Sequence, residues 1–155
     1  SYIRLGKNGE PDLSEWLVNK TDLCNYYGNK SQYSDILVIS YGPITEECIK
    51  ASNILQKDNI NVSIVSFFQL KPIPTEVIDL CMQFKAVIIV EEHSTYNSVG
   101  THLISLLSTK SNTPKIRILG VDDVFTEVVG DRNFLLTHHK IDAQSISISI
   151  KEFIL

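Results

Sequence analysis

The chain has 155 residues, of which 43% are hydrophobic and 21% charged, and its formal net charge is −4. This length fits one domain of ordinary size, large enough to bury roughly 70% of the surface that the unfolded chain exposes. The composition is typical of a soluble globular protein and gives no electrostatic reason to expect nucleic-acid or membrane binding. No apolar run approaches the roughly 18 residues that a membrane-spanning helix requires.

The three cysteines, Cys24, Cys48 and Cys81, are odd in number and widely spaced. This pattern argues against a disulfide framework and against a zinc site, and it is compatible with a reducing cytosol. The first residues contain no basic-then-apolar leader, so secretion is not supported and a cytoplasmic location is expected. Cys48 and Cys81 fall on apolar faces of predicted helices and are expected to pack in the core.

The first 33 residues differ in character from the rest of the chain. Residues 1–6 have the pattern of a β-strand from the first residue onward, and no initiating methionine precedes them. Both features predict that the chain is a piece of a longer protein. Residues 7–33 are polar, carry several turn signals and have the character of a linker. Within them, residues 12–18 predict a short helical turn and residues 23–27 a short edge strand.

From Asp35 onward the pattern is regular. Short runs rich in β-branched residues predict strands at 36–39, 62–68, 86–90 and 116–119. Because these runs are apolar on both faces, the sheet should be covered by helices on each side. Helical stripes separate the strands, at Ile44, Cys48, Ala51 and Leu55, at Val77, Ile78 and Cys81, and at Val99, Leu103, Leu106 and Leu107. The alternation predicts an α/β fold, a three-layer α/β/α sandwich with a mostly parallel sheet of about five strands.

The last segment is ambiguous between strand and helix. Isoleucines at 146, 148 and 150 alternate with serines, which by itself indicates a strand. However, Asp142 is a good N-cap, and Ala143, Ile146, Ile150 and Phe153 form a helical stripe. We therefore predict a helix.

The most informative segment is 86–100, where a buried apolar run ends in Glu91, Glu92 and His93 before a polar turn and a helix. In open α/β sheets, ligand sites lie at the carboxyl ends of strands. The triplet could form an interface contact or a small anion site. Alternatively, these side chains simply mark where the chain leaves the core.

Other catalytic signatures are missing from the sequence. The seven glycines form neither GxGxxG nor a P-loop, and no GxSxG elbow occurs. His138 and His139 are adjacent, which would direct them apart on a helix, so a shared metal is not expected. No nucleophile accompanies the Glu91 triplet. We therefore predict no catalytic residue and no metal ligand.

Four segments in chain order carry a family resemblance. They are residues 35–42, residues 65–72, Val90-Glu91-Glu92-His93, and residues 119–125 with 128–130 and 141–146. Together they resemble the C-terminal domain of transketolase-type enzymes, including transketolases and 1-deoxyxylulose-5-phosphate synthases. Departures are mild, such as Pro74 in place of an acidic cap and Asn97-Ser98 in place of Gly-Gly.

The resemblance implies a domain division. Residues 1–33 would be the end of a preceding pyrimidine-binding domain plus a linker, and residues 34–155 a transketolase C-terminal-like domain. In sugar-phosphate members, a basic residue shortly after that preceding domain's last strand contacts the substrate phosphate. Lys7 occupies this position by order and Arg4 is the second candidate. The alternative for Lys7 is a solvated linker lysine.

The resemblance also implies a function. Such enzymes use thiamine diphosphate and a divalent metal, Mg, which would be held by the upstream diphosphate- and pyrimidine-binding domains and not by this fragment. The chain is then a structural and dimer-contact domain of a transferase acting on sugar phosphates, inactive by itself, in a full-length homodimer. One alternative is a partner-binding domain of a 2-oxoacid dehydrogenase beta-type subunit, which predicts an exposed acidic or apolar patch. Another is a freestanding module that binds a small ligand at the strand-end loops.

Overall fold

The computed structural model describes Gly9, residues 11–28 and residues 34–154. Its strands are β1 (Leu17–Lys20), β2 (Cys24–Tyr27), β3 (Ile36–Ser40), β4 (Ser63–Phe67), β5 (Ala86–Ser94) and β6 (Lys115–Val121). Its helices are α1 (Thr45–Gln56), α2 (Thr75–Cys81), α3 (Val99–Leu107), α4 (Arg132–His138) and α5 (Ala143–Ile154). Short 3-10 turns span Ser14–Trp16 and Gly42–Ile44.

Within the described residues the strands form one six-stranded sheet in the order β1-β2-β4-β3-β5-β6. Strand β3 pairs in parallel with β4 and β5, and β5 pairs in parallel with β6. Strand β2 runs antiparallel to both β1 and β4. The sheet is therefore mostly parallel, as the sequence predicts.

Two hydrophobic clusters lie on opposite faces of this sheet. Because strand side chains alternate between faces, Val38, Ile64 and Ile88 pack with residues of α1, α4 and α5. Leu37, Val65 and Val87 pack on the other face with residues of α2 and α3. All five residues of β3 are buried, as expected for a central strand covered on both sides. The three-layer sandwich is confirmed.

The final helix resolves the ambiguity of the last segment. Asp142 Oδ1 accepts hydrogen bonds from the backbone N–H groups of Gln144 (3.0 Å) and Ser145 (3.3 Å), which is an N-cap. Ile146 and Ile150 are buried, whereas Ile148 is 45% exposed. The burial of the isoleucines thus follows the helical period, and their alternation with serine does not indicate a strand.

The N-terminal part of the domain holds a strand that the sequence does not predict. The helical turn is found at Ser14–Trp16, and β1 follows it directly. Strand β2 is found where expected, but it lies between β1 and β4 and is not an edge strand. Residues 11–28 therefore contribute two strands to the main sheet, and the proposed division at residues 33 and 34 stays a prediction.

All three cysteines are free and buried. Burial raises the pKa of the thiols, to about 11 for Cys24 and to about 12 for Cys48 and Cys81. Since the thiolate is the reactive form, alkylation of the folded chain by iodoacetamide at pH 8 should be at least about 100-fold slower than alkylation of free cysteine. Mass spectrometry before and after unfolding in urea checks this. Rapid modification of the folded chain would contradict the burial.

None of the helices in the described part of the chain is both long enough and apolar enough to cross a membrane.

Candidate functional site

The Glu91 triplet lies in a β-bulge near the carboxyl end of β5. Val90 is paired with Leu119 and Ser94 with Val121, so three residues of β5 oppose only Gly120 of β6. The strand thus continues to Ser94, and the sequence-based expectation that it ends at Val90 is wrong. Bulges re-aim side chains and are frequent beside functional sites.

The three side chains have different environments. Glu91 is fully buried and contacts Tyr41 and the first turn of α3. Glu92 contacts Arg132 of α4, on the opposite face of the sheet. The exposed His93 stacks on the Tyr41 ring, with centroids 6.0 Å apart and an interplanar angle of 18°. The triplet is therefore not one converging anion site.

Glu91 fixes the start of α3. Its Oε2 accepts hydrogen bonds from the Tyr41 hydroxyl (2.7 Å) and from the Gly100 N–H (3.2 Å). Ser98 caps the same helix by accepting the Thr101 N–H at 3.1 Å. A carboxylate at this end of a helix also interacts favourably with the helix dipole. Glu91 Oε1 is buried and makes no hydrogen bond within the described structure.

Two glycines make the space that Glu91 occupies. A Cβ on Gly100 would lie 2.9 Å from Glu91 Oε1. A Cβ on Gly120 would lie 2.9 Å from the His93 carbonyl oxygen and 3.3 Å from Glu91 Cγ. Gly120 thus allows the two backbones to approach closely opposite the bulge. The carboxyl group of Glu91 is thus enclosed by its own domain, with the residue 0% exposed.

Glu92 joins the end of β5 to α4. Its two oxygens accept bonds from Nε (2.9 Å) and Nη2 (2.8 Å) of Arg132, in a bidentate arrangement. The hydrogen bond with Glu92 raises the pKa of Arg132. Each side chain is about one third exposed. This ion pair is a structural link between the sheet and α4, and neither partner is available as a free charge.

An open pocket of about 590 Å³ lies beside this ion pair. Aliphatic side chains form most of its lining, and polar groups of four residues complete it. The aliphatic residues are Val121, Val128, Leu135, Leu136 and Ile141, and the polar ones are Glu92, Thr126, Arg132 and His139. His139 Nε2 lies 3.3 Å from Thr126 Oγ1.

The expectation that His138 and His139 point apart is wrong. Their rings meet edge to face, with centroids 4.9 Å apart, because His138 ends α4 and His139 lies beyond it as the C-cap. Even so, in residues 11–28 and 34–154 no three histidine, cysteine or carboxylate side chains are placed to hold a metal together.

Sequence reasoning missed two partners in this region. Tyr41, which follows β3, binds Glu91, and Arg132, which begins α4, binds Glu92. The strand order could have suggested the first pair, because β3 and β5 are neighbours and their carboxyl ends meet. Nothing in the spacing indicates the second pair. Lys7 and Arg4 lie outside the described residues, so their assignment stays a prediction.

The described residues do not fit a thiamine diphosphate and metal site. Glu91 is enclosed, Glu92 is held by Arg132, and the described part of the chain offers no grouped metal ligands. The start of α3 is already occupied by Glu91 Oε2.

The architecture defines a doubly wound α/β domain whose carboxyl-edge acids stabilise the fold. Residues 27–146 match the family described as "Transketolase, C-terminal domain". The chain therefore belongs to the transketolase C-terminal domain family, and the predicted resemblance is confirmed.

Several curated proteins are similar to the chain. Over 118 residues it is 30% identical to a protein of Methanocaldococcus jannaschii named as a transketolase C-terminal section. The matched region covers 76% of this chain and 36% of the relative. It is 26% identical to a 1-deoxy-D-xylulose-5-phosphate synthase of Parabacteroides distasonis, covering 93% of the chain and 23% of the relative. It is 25% identical to an apulose-4-phosphate transketolase subunit of Phocaeicola vulgatus, and that match covers 99% of this chain and 48% of the relative. The chain spans less than half the length of these relatives.

A solved structure supports the same fold. The protein described as "Split gene transketolase, inactive beta4 tetramer" is 25% identical and superposes with a TM-score of 0.69, over 79% of this chain and 40% of that one. The fold class predicted from the sequence is therefore confirmed.

Proposed function

We propose that this chain is the C-terminal structural domain of a thiamine-diphosphate-dependent transketolase-type transferase that acts on sugar phosphates. By itself it has no activity. The observation that carries the proposal is that the two carboxylates at the sheet's carboxyl edge are engaged in packing, in a domain of this family. Two relatives are named for sugar-phosphate reactions, which favours that substrate class.

The remaining assignments belong to the same proposal. Upstream pyrimidine- and diphosphate-binding domains hold the cofactor and Mg, and the complete protein is a homodimer. The lengths of the curated relatives support further domains, since at least half of each lies outside the matched region. Three free thiols favour a cytoplasmic location.

Two measurements test the proposal. Denaturing and native immunoblots of source cells should show the 17.5 kDa chain within a several-fold heavier polypeptide or complex. Isothermal titration with thiamine diphosphate and Mg²⁺ should show binding to that native protein and none to residues 1–155. A native particle of the chain's own mass, or cofactor binding by residues 1–155, would contradict the proposal.

Lys7 offers a test of the substrate class. In the native protein, Lys7→Gln should raise KM for a phosphorylated acceptor sugar by roughly ten- to hundredfold, because a charge-assisted hydrogen bond contributes about 1.5–3 kcal/mol. The value of kcat should change less than about twofold if binding of the phosphate is equal in ground and transition states. Lys20→Gln in β1 is the matched control. Equal KM values for both variants would remove Lys7 from the site and favour a solvated lysine.

Two other functions each have one supporting observation. A partner-binding domain of a 2-oxoacid dehydrogenase beta-type subunit is favoured by exposed apolar and acidic residues between Asp122 and Asp131. A freestanding ligand-binding module is favoured by the open pocket beside Arg132. The native mass distinguishes the freestanding module, which would have the chain's own mass, from the main proposal.

A further inference from the structure

Strand β6 forms an open edge of the sheet. Within the described residues it is the last strand in the sheet order, and its pairing there is with β5. It is seven residues long, is largely apolar and contains no proline. Lys115 is exposed, and the other six residues are only partly buried. An open and regular strand edge of this kind is a template for pairing with another strand.

The opposite edge of the sheet is built differently. Strand β1 has only four residues, its register with β2 shifts between Leu17 and Asn19, and it ends in the exposed Lys20. Short length, irregular pairing and a terminal charge are features that prevent an edge strand from pairing with another chain. Strand β6 is longer, and its register with β5 is regular from Lys115 to Leu119. The sheet therefore has one edge that resists pairing and one that permits it.

The backbone hydrogen bonds of β6 identify the groups that point outward. The Lys115 N–H donates to the Lys85 carbonyl oxygen at 3.0 Å, and the Val121 carbonyl oxygen accepts the Thr95 N–H at 2.8 Å. The odd-numbered residues of β6 therefore face β5, and the backbone groups of the residues between them point away from it. Those outward-facing groups have no backbone partner in the described part of the chain. They belong to Ile116, Ile118 and Gly120.

The charges at the two ends of β6 have opposite signs. Lys110 and Lys115 lie before and at its beginning, and Asp122 and Asp123 follow its end directly. All four residues are exposed. An antiparallel second copy of β6 would bring the basic beginning of each strand against the acidic end of the other, whereas a parallel copy would bring like charges together. The charges therefore favour an antiparallel copy of the same strand as the partner.

We propose that two copies of this chain pair antiparallel along β6, about a two-fold axis through Ile118, so that one sheet continues through both. The N–H and C=O groups of Ile116 then bond to those of Gly120 in the second copy. Lys115 lies diagonal to Asp123 of that copy, a distance that a long side chain can span. Such an interface is self-complementary and closed, as in most homodimers. This pairing is independent of the proposed function, because it follows from the geometry and the charges of β6 alone.

Sedimentation velocity tests the pairing directly. At about 100 μM, residues 1–155 should sediment as a particle of twice 17.5 kDa, because even weak specific interfaces have dissociation constants in the micromolar range. A monomer at this concentration would overturn the pairing. The experiment contains no cofactor and no substrate, so its failure leaves the proposed function standing. Conversely, failure of the native protein to bind thiamine diphosphate would leave the pairing standing.

Hydrogen exchange locates the interface. At the same concentration, the outward-facing amides of Ile116, Ile118 and Gly120 should exchange at least about fivefold more slowly than in the dilute monomer, because the second copy bonds them. The amides of Lys115 and Arg117 face β5 and should be equally protected at both concentrations, which makes them the internal reference. A dimer in which the outward-facing amides stay unprotected would overturn the proposal, since its interface would lie elsewhere.

A charge swap tests the antiparallel register. Lys115→Glu should raise the dissociation constant at least about tenfold, because the two-fold axis turns two attractions into two repulsions. Asp123→Lys should have the same effect. The double variant Lys115→Glu with Asp123→Lys should restore the dissociation constant to within about threefold of the original value, since it exchanges the two signs. Failure of the double variant to restore association, with the reference amides still protected, would overturn the register.

The matched control is Lys20→Glu, which makes the same charge change at an exposed position on the opposite edge strand. It should change the dissociation constant by less than about threefold. Equal effects of Lys20→Glu and Lys115→Glu would overturn the assignment to β6. In the native protein, the outward-facing amides of β6 should also be protected. Protection there that survives dilution to a single copy would overturn the proposal, because another part of the same polypeptide would then cover the edge.

Discussion

Replacing Glu91 with alanine should lower the free energy of unfolding by about 3–4 kcal/mol, as expected for a large buried side chain that also accepts hydrogen bonds. Two donors lose their acceptor, the Tyr41 hydroxyl and the Gly100 N–H in the first turn of α3. The space between Gly100 and Gly120 is left unfilled, because the lack of a Cβ at these two positions makes room for the Glu91 side chain. Urea unfolding of residues 1–155 followed by circular dichroism measures the loss.

Glu92→Ala is the matched control for that substitution. It removes the same side chain from the next position, where about a third of it is exposed and its partner is Arg132. A partly exposed ion pair contributes about 1 kcal/mol or less. If Glu92→Ala destabilises the domain as much as Glu91→Ala does, the structural role assigned to Glu91 is wrong.

Gly100→Ala should also destabilise the domain, by about 2–3 kcal/mol, which is the usual cost of overpacking a core. The new methyl group would lie 2.9 Å from Glu91 Oε1, 3.1 Å from Ile118 Cδ1 and 3.2 Å from Ile89 Cγ2. This cost exceeds the gain of about 1 kcal/mol that alanine has over glycine in a helix. The same unfolding experiment applies.

Ser105→Ala serves as the control for Gly100→Ala, because Ser105 lies on the exposed side of α3. It should change the stability by less than about 0.5 kcal/mol, as surface substitutions usually do. A stabilising effect of Gly100→Ala would contradict the close contact with Glu91.

The two substitutions should be coupled. With Glu91 shortened to alanine, the methyl group of Ala at position 100 no longer meets Oε1, although Ile118 and Ile89 remain close. We expect the double variant to be more stable than the sum of the single effects predicts by at least about 1 kcal/mol, since residues in contact are not independent. Additive effects would show that the Glu91 carboxyl group is not the reason why position 100 requires glycine.

The environments of Glu91, Glu92 and His93 determine how the Glu-Glu-His segment is interpreted. Ligand sites in open α/β sheets lie at the carboxyl ends of strands, where this triplet is found. Here, however, the bulge divides the triplet among three environments. Glu91 holds α3, Glu92 holds α4 and His93 stacks on Tyr41. The segment therefore ties both helical layers to the central sheet at its carboxyl edge.

Sequence periodicity was sufficient for most of the fold. The strands β3, β4, β5 and β6 and the stripes of α1, α2 and α3 follow from local patterns, because a strand buried on both faces is continuously apolar and a helix buried on one face is apolar every three to four residues. The capped helix α5 is predictable for the same reason, since Asp142 and its stripe are local features. The domain family was indicated by the resemblance of four motif segments, and the family match over residues 27–146 confirms it.

Only the tertiary structure decided the rest. Strand β1 and helix α4 are short, with four and seven residues, and are stabilised by pairing or packing with distant segments, so their own sequences carry little signal. The bulge at Glu91 depends on the register between β5 and β6, which no single segment encodes. The partners of Glu91 and Glu92 come from positions 41, 100 and 132. Sequence determines which side chains are present and their local conformation, whereas the long-range register determines whether a carboxylate faces solvent, a ligand or the interior of the protein.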